Sequence, residues 1–180
     1  SLSFAQSSVD HQFRILVHKQ AAVHESRPGL AFWGVFPDIT NRSPFRALLV
    51  GGGLIKRKDG WLEFMGGSFF RTDGVVDPVF NMRASQAIGH VLFYAEVMYV
   101  FPQDKLIVVP VVATRWFKAG AINLGLGFES EMTLKPGADS YGFGPRVAVK
   151  HPLLKQATLT TAYEWQSGQP FVRQYLLVNF

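Results

Sequence analysis

The dominant pattern along the chain has a period of two. Between Ile122 and Glu129, the apolar residues Ile122, Leu124, Leu126 and Phe128 alternate with Asn123, Gly125, Gly127 and Glu129. A helix would scatter these residues around its surface, whereas a strand gives each set its own face. The same alternation sets Leu159, Thr161, Tyr163 and Trp165 against Thr158, Thr160, Ala162 and Glu164. It also sets Tyr141, Phe143, Pro145, Val147 and Val149 against Gly142, Gly144, Arg146, Ala148 and Lys150. Between His90 and Phe101, Val91, Phe93, Ala95, Val97, Tyr99 and Phe101 oppose His90, Leu92, Tyr94, Glu96 and Met98. Turn-forming runs separate the segments: Lys58-Asp59-Gly60, Pro102-Gln103-Asp104, Lys118-Ala119-Gly120 and Ser167-Gly168-Gln169-Pro170.

This pattern predicts about ten strands, at 11–19, 30–36, 45–56, 61–71, 88–101, 105–117, 120–133, 141–150, 157–166 and 171–180. The first two have the weakest pattern, so eight or twelve strands also fit. Most segments exceed the five or six residues typical of globular strands and match the nine to eleven or so that cross a bilayer at a tilt. The fold expected is all-β: a closed, antiparallel, up-and-down transmembrane β-barrel. Two features resist it. The stretch at about 72–87 reads as a long connection at the end where such barrels have short turns, unless a short element lies within Val75–Ala87. Residues 106–113, Leu-Ile-Val-Val-Pro-Val-Val-Ala, are apolar on both faces. That suits a strand buried in a soluble core, or a barrel with a packed interior. Within that run, Pro110 removes a ladder hydrogen bond and points to an edge or a bulge, and a closed barrel has no free edge.

Charge placement adds a second layer. All seven Asp residues fall outside the predicted strands, as expected of a turn former, whereas five of the six Glu residues fall inside them. Where alternation is clear, each of these Glu residues lies opposite the apolar face. A lipid-facing Arg or Lys costs on the order of 2–4 kcal/mol at the midplane, while an interior one can be paired. Parity therefore predicts an interior charged network of Glu63, Glu96, Glu129, Glu164, Arg115, Arg146, Lys150 and Arg173. Alternation alone does not say which face is inside. The alternative is a soluble or secreted β-barrel or sandwich with an apolar core that binds an apolar ligand.

Composition narrows the classes. The 180 residues are enough for one domain, and no linker divides them. Hydrophobic residues make up 48% and charged residues 17%, against roughly 25% charged in average soluble domains. Mean hydropathy is +0.12, yet no run of eighteen apolar residues could form a spanning helix. There is no Cys, which excludes disulfides and thiolate chemistry. The net charge of +5 comes from dispersed basic residues, of which Lys56-Arg57-Lys58 is the densest cluster, so a nucleic-acid partner is not expected. Many aromatics, including Tyr99, Phe101, Tyr141, Phe143, Tyr163, Trp165 and Phe180, sit near strand ends, where aromatic girdles occur.

The C-terminal segment, Phe171-Val-Arg-Gln-Tyr-Leu-Leu-Val-Asn-Phe180, places Val172, Leu176, Val178 and Phe180 on one face, with Gln174 the only polar residue among them. It resembles the last strand of bacterial outer-membrane β-barrel proteins, which alternates and ends in Phe. The resemblance covers about ten residues. It implies that Val172, Leu176, Val178 and Phe180 form an insertion signal read by the outer-membrane barrel assembly machinery. It further implies a Gram-negative outer-membrane location, with outer-membrane lipids and other envelope proteins as partners. At the other end, Ser3 and Ala5 match the small residues that close a secretory signal peptide. Residues 1–5 are then a leader remnant, and 6–180 form the single barrel domain.

The chain carries few motifs of catalytic chemistry. Gly51-Gly52-Gly53 lacks the Gly-Lys-Ser/Thr of a phosphate loop and reads as a bend, or as a place where bulky neighbours pack. No Gly-x-Ser-x-Gly elbow occurs, and the five His residues have no metal-ligand spacing. His90 and Glu96 share a face but lie about 20 Å apart along a strand, so His90 would need a partner such as Glu63 or Ser68 from elsewhere. Some outer-membrane barrels are lipid-modifying enzymes. In the lipid A deacylase family a His-Ser pair is adjacent on a strand, but here the chain has His151-Pro152. No cofactor, metal or catalytic residue is predicted. The function expected is a structural part of an envelope complex or a narrow, porin-like passive pore, with a lipid-modifying enzyme as a further alternative.

Overall fold

The computed structural model describes residues 9–21, 27–37, 45–166 and 168–180. The expected leader remnant, residues 1–5, lies outside them. The strands in chain order are β1 (Asp10–Ala21), β2 (Pro28–Pro37), β3 (Phe45–Arg57), β4 (Gly60–Arg71), β5 (Val76–Ile88), β6 (Val91–Val100), β7 (Lys105–Thr114), β8 (Phe117–Ala119), β9 (Ile122–Leu134), β10 (Ser140–Lys150), β11 (Ala157–Gln166) and β12 (Gln169–Asn179). Eleven of them close into a ring, in which each strand pairs with its chain neighbour and β12 returns to β1. The three-residue β8 lies outside the ring and pairs only with β9, beyond the end of β7.

The ring corrects the expected count of ten. The additional strand is β5, in the segment read as a long connection. Its alternation is clear once the faces are known: Asp77, Val79, Asn81 and Arg83 are buried, while Val76, Pro78 and Phe80 are exposed. The expectation that every Asp lies outside the strands is corrected with it. Asp10 opens β1, and Asp77 is buried within β5, where its carboxylate accepts a hydrogen bond from the Gln103 amide.

An odd count also changes the closure. Alternating strands in a ring of eleven leave the first and last pointing the same way, so β1 and β12 pair in parallel, from Asp10 opposite Phe171 to His18 opposite Asn179. The barrel is thus antiparallel everywhere except at this seam. The two described ends of the chain consequently lie at opposite rims, here called the N-terminal and C-terminal rims.

Pro110 does not need a free edge. Pairing of β7 with β9 is interrupted between Val108 and Val111, so the position without an N–H falls in a gap of the ladder. Opposite that gap, the Ser130 hydroxyl turns to the Gly142 carbonyl oxygen at 2.8 Å. Pro145 sits in the corresponding break between β10 and β11.

Glycines permit the tightest inter-strand approaches. A Cβ at Gly52 would lie 2.1 Å from the Phe64 carbonyl oxygen, and one at Gly67 would lie 2.0 Å from that of Leu49. At Gly52 any side chain would strike the backbone of the adjacent strand, so glycine here serves close packing between β3 and β4.

Burial is inverted relative to a globular core. On the outer face, Phe128 is 67% exposed and Leu30 69%, whereas Glu63 and Glu164 inside are 0% exposed. An apolar interior cluster does exist, around Trp33, Val35, Leu48, Val50, Met65, Phe69 and Val100, but it occupies one side of the barrel.

Candidate functional site: a charged and two-sided interior

The interior holds a cavity of about 890 Å³. Its lining reaches from Gln20, Ser85 and Lys150 near the C-terminal rim to Gln12, Lys135 and Asp139 near the N-terminal rim. The wall is apolar where Leu16, Val35, Leu48, Phe69, Ile107 and Val109 face inward, and polar where β9 to β12 contribute Glu129, Glu131, Arg146, Thr158 and Thr160. This asymmetry accounts for the two-faced apolar stretch in β7. Ile107, Val109, Val111 and Ala113 line the apolar wall of the cavity, and the alternate residues form the outer surface.

Two charged clusters project into this space. The first is built around Arg83. Its Nη1 donates to Glu63 Oε2 at 3.1 Å, and its Nε donates to the Tyr94 hydroxyl at 3.0 Å. Tyr94 in turn donates to Glu96 Oε2 at 2.8 Å, and the Asn81 amide donates to Glu96 Oε1 at 2.7 Å. The other Glu63 oxygen lies 2.8 Å from His18 Nε2 and accepts from the Gln20 amide at 2.7 Å. The Arg83 guanidinium lies 3.7 Å from the Trp33 ring centroid, so the ion is stacked as well as paired.

The second cluster centres on Arg173 of β12. Its Nη1 meets Glu131 at 2.9 Å, Glu164 at 3.1 Å and Glu129 at 3.5 Å. Arg146 approaches Glu129 at 3.4 Å, and Arg14 approaches Glu131 at 3.4 Å. Strands β1, β9, β10, β11 and β12 thus meet in one network that crosses the parallel seam. Buried charges are tolerable only when paired in this way, because an isolated ion in a low-dielectric interior costs far more than a hydrogen bond returns.

The structure distributes the eight residues named from parity as follows. Glu129, Glu164, Arg146 and Arg173 belong to the second cluster, and Glu63 and Glu96 belong to the first. Lys150 lines the cavity near the C-terminal rim without joining either cluster's ion pairs. Arg115 stands at that rim, where its Nη2 pairs with Asp59 at 3.3 Å and both side chains are nearly half exposed. Of the C-terminal residues, Val172, Leu176 and Val178 lie on the face of β12 opposite Arg173 and Tyr175, and Phe180 is exposed at the strand's end. The Phe180 backbone N–H donates to the His18 carbonyl oxygen.

Sequence reasoning missed Arg83, Arg14, His18 and Glu131. Arg83 was hidden by the loop reading of β5. Glu131 shares a face with Glu129 two residues away, so parity could have found it. His90 lies in the β5–β6 turn and is exposed, and Ser68 is on the opposite face of β4 from Glu63. The partners considered for His90 are therefore not brought together. Among the described residues, no group of three or more His, Cys, Asp or Glu side chains could hold a metal ion. Comparison with protein families, curated proteins and solved structures returned no match.

Proposed function

We propose that this protein is a small β-barrel of the bacterial outer membrane whose charge-lined interior serves as a narrow passive path. The observation that carries this reading is the placement of charge against apolar surface: Phe, Leu and Val residues cover the outside, while paired Glu and Arg residues are buried inside, beside an apolar cluster on one wall. An apolar surface that encircles the barrel has its natural counterpart in lipid. Tyr99, Tyr141, Tyr163 and Trp165 gather outside the N-terminal rim, and such amphipathic rings favour the membrane–water interface. Strand lengths of ten to thirteen residues in the ring suit a tilted bilayer crossing. Under this reading, the outward residues Val172, Leu176 and Val178, with Phe180, would be presented to the assembly machinery.

The cavity bears on how wide the path is. A volume of about 890 Å³ spread over a bilayer core of about 30 Å leaves a mean cross-section of only about 30 Å². Water and small ions fit that section, whereas bulky hydrated solutes do not. The test is refolding into vesicles loaded with solutes of graded size. Heat-modifiable gel mobility together with leak of small ions, but not of oligosaccharides, is the expected result. A chain that stays soluble without detergent and ignores vesicles would overturn the membrane reading. A vesicle-inserted barrel with no ion leak would leave the structural role in an envelope complex as its function.

A further inference from the structure

We infer that the C-terminal rim is a docking surface for the phosphate-bearing headgroups of an anionic lipid leaflet. This inference rests on the membrane reading above and deepens it by assigning one rim a lipid class.

The ring topology sorts the charges in a way the linear sequence conceals. The end of β3 and the following turn carry Lys56, Arg57 and Lys58, all exposed. On the same rim β8 adds Lys118, the end of β10 adds Lys150, and the turn before β11 adds Lys155. The end of β1 and the start of β2 bring Lys19 and Arg27 there as well. Arg115 is also present but is paired with Asp59, the one described Asp or Glu in the turns of this rim. The N-terminal rim is different: Arg46, Arg71, Lys105 and Lys135 are offset by Asp10, Asp73, Asp77, Asp104 and Asp139. Among the described residues, one rim is therefore strongly cationic, and the other is close to neutral.

A second observation points to lipid rather than to a soluble anion. The turn between β10 and β11 exposes Leu153 and Leu154, at 85% and 61%, between His151 and Lys155. Apolar side chains flanked by cations, at the end of an apolar wall, match an interface with acyl chains on one side and phosphates on the other. The cationic groups lie on several separate strands around the rim, so they face a layer of headgroups rather than one bound molecule.

The absence of Cys allows a clean test. Leu153→Cys on the C-terminal rim and Phe143→Cys near the N-terminal rim are each labelled with a fluorophore and placed in bilayers of phosphatidylcholine and phosphatidylglycerol. Either lipid is supplied in brominated, quenching form. The expected result is quenching at position 153 that is at least about twofold stronger with brominated phosphatidylglycerol, and equal quenching by both lipids at position 143. The preference at position 153 should vanish in about 1 M salt, where the Debye length falls to about 3 Å. It should also vanish when Lys118, Lys150 and Lys155, the cations on the strands and turn around position 153, are all changed to Glu. Equal quenching by the two lipids at position 153 would overturn the inference and leave the membrane reading intact. No quenching by either lipid at both positions would overturn the membrane reading and this inference with it.

Discussion

At the scale of single residues, the charged cluster beside the β1–β12 seam centres on one cation among several carboxylates. Arg173 is 1% exposed and faces Glu129, Glu131 and Glu164 together. Arg173→Met keeps the bulk of the side chain but leaves those carboxylates without their central partner. A loss on the order of 3–5 kcal/mol in urea unfolding from detergent or vesicles is expected. Adding Glu164→Gln to Arg173→Met should restore part of that loss, and strict additivity of the two changes would show that the pair is not coupled. Gly52 tests a steric argument instead of an electrostatic one. Gly52→Ala would place a Cβ against the Phe64 carbonyl oxygen, so a drop in refolding yield and in the heat-modifiable band is expected. Gly53→Ala, with nothing within 4 Å of the new Cβ, should be tolerated. The strand flanks of Gly51-Gly52-Gly53 mark it as a bend or a site of close packing, but only the register with β4 singles out the middle glycine.

At the scale of elements, alternation revealed most of the wall and hid one strand. The segments at 120–133, 141–150 and 157–166 closely match β9, β10 and β11 because their outer faces are predominantly apolar. In β5 the inner face carries Asp77, Asn81 and Arg83 and the outer face carries Pro78, residues that locally read as loop. They are stable in a strand because the charged interior supplies partners, and a single sequence does not display those partners. The strand count then decided the closure, since parity alone makes the β1–β12 seam parallel. Ile15 and Leu176 are partners across this seam and share the outer face. In an otherwise Cys-free chain, Ile15→Cys with Leu176→Cys should crosslink efficiently with a short thiol reagent. Ile15→Cys with Val172→Cys should not, because Val172 lies four residues, or about 13 Å, away along β12. Equal yields from the two pairs on denaturing gels would contradict the seam.

At the scale of the whole molecule, the net charge of +5 has a location that linear inspection did not reveal. The interior nearly balances, with Arg14, Arg83, Arg146 and Arg173 set against Glu63, Glu96, Glu129, Glu131 and Glu164. The N-terminal rim nearly balances too, so among the described residues the excess resides at the C-terminal rim. Basic residues separated along the chain become neighbours there because every second turn of an up-and-down ring returns to the same end. Such a rim sets the potential at one mouth of the proposed path, while the paired interior contributes little net field. The barrel should therefore prefer anions. In a planar bilayer under a potassium chloride gradient, the reversal potential should indicate chloride over potassium. The preference should weaken as salt is raised and the rim charges are screened. Arg115 and Lys150 line the cavity near that mouth, so Arg115→Glu with Lys150→Glu should bring the reversal potential to zero or invert it. Potassium preference in the unaltered barrel would mean that the interior carboxylates, and not the rim, control what passes.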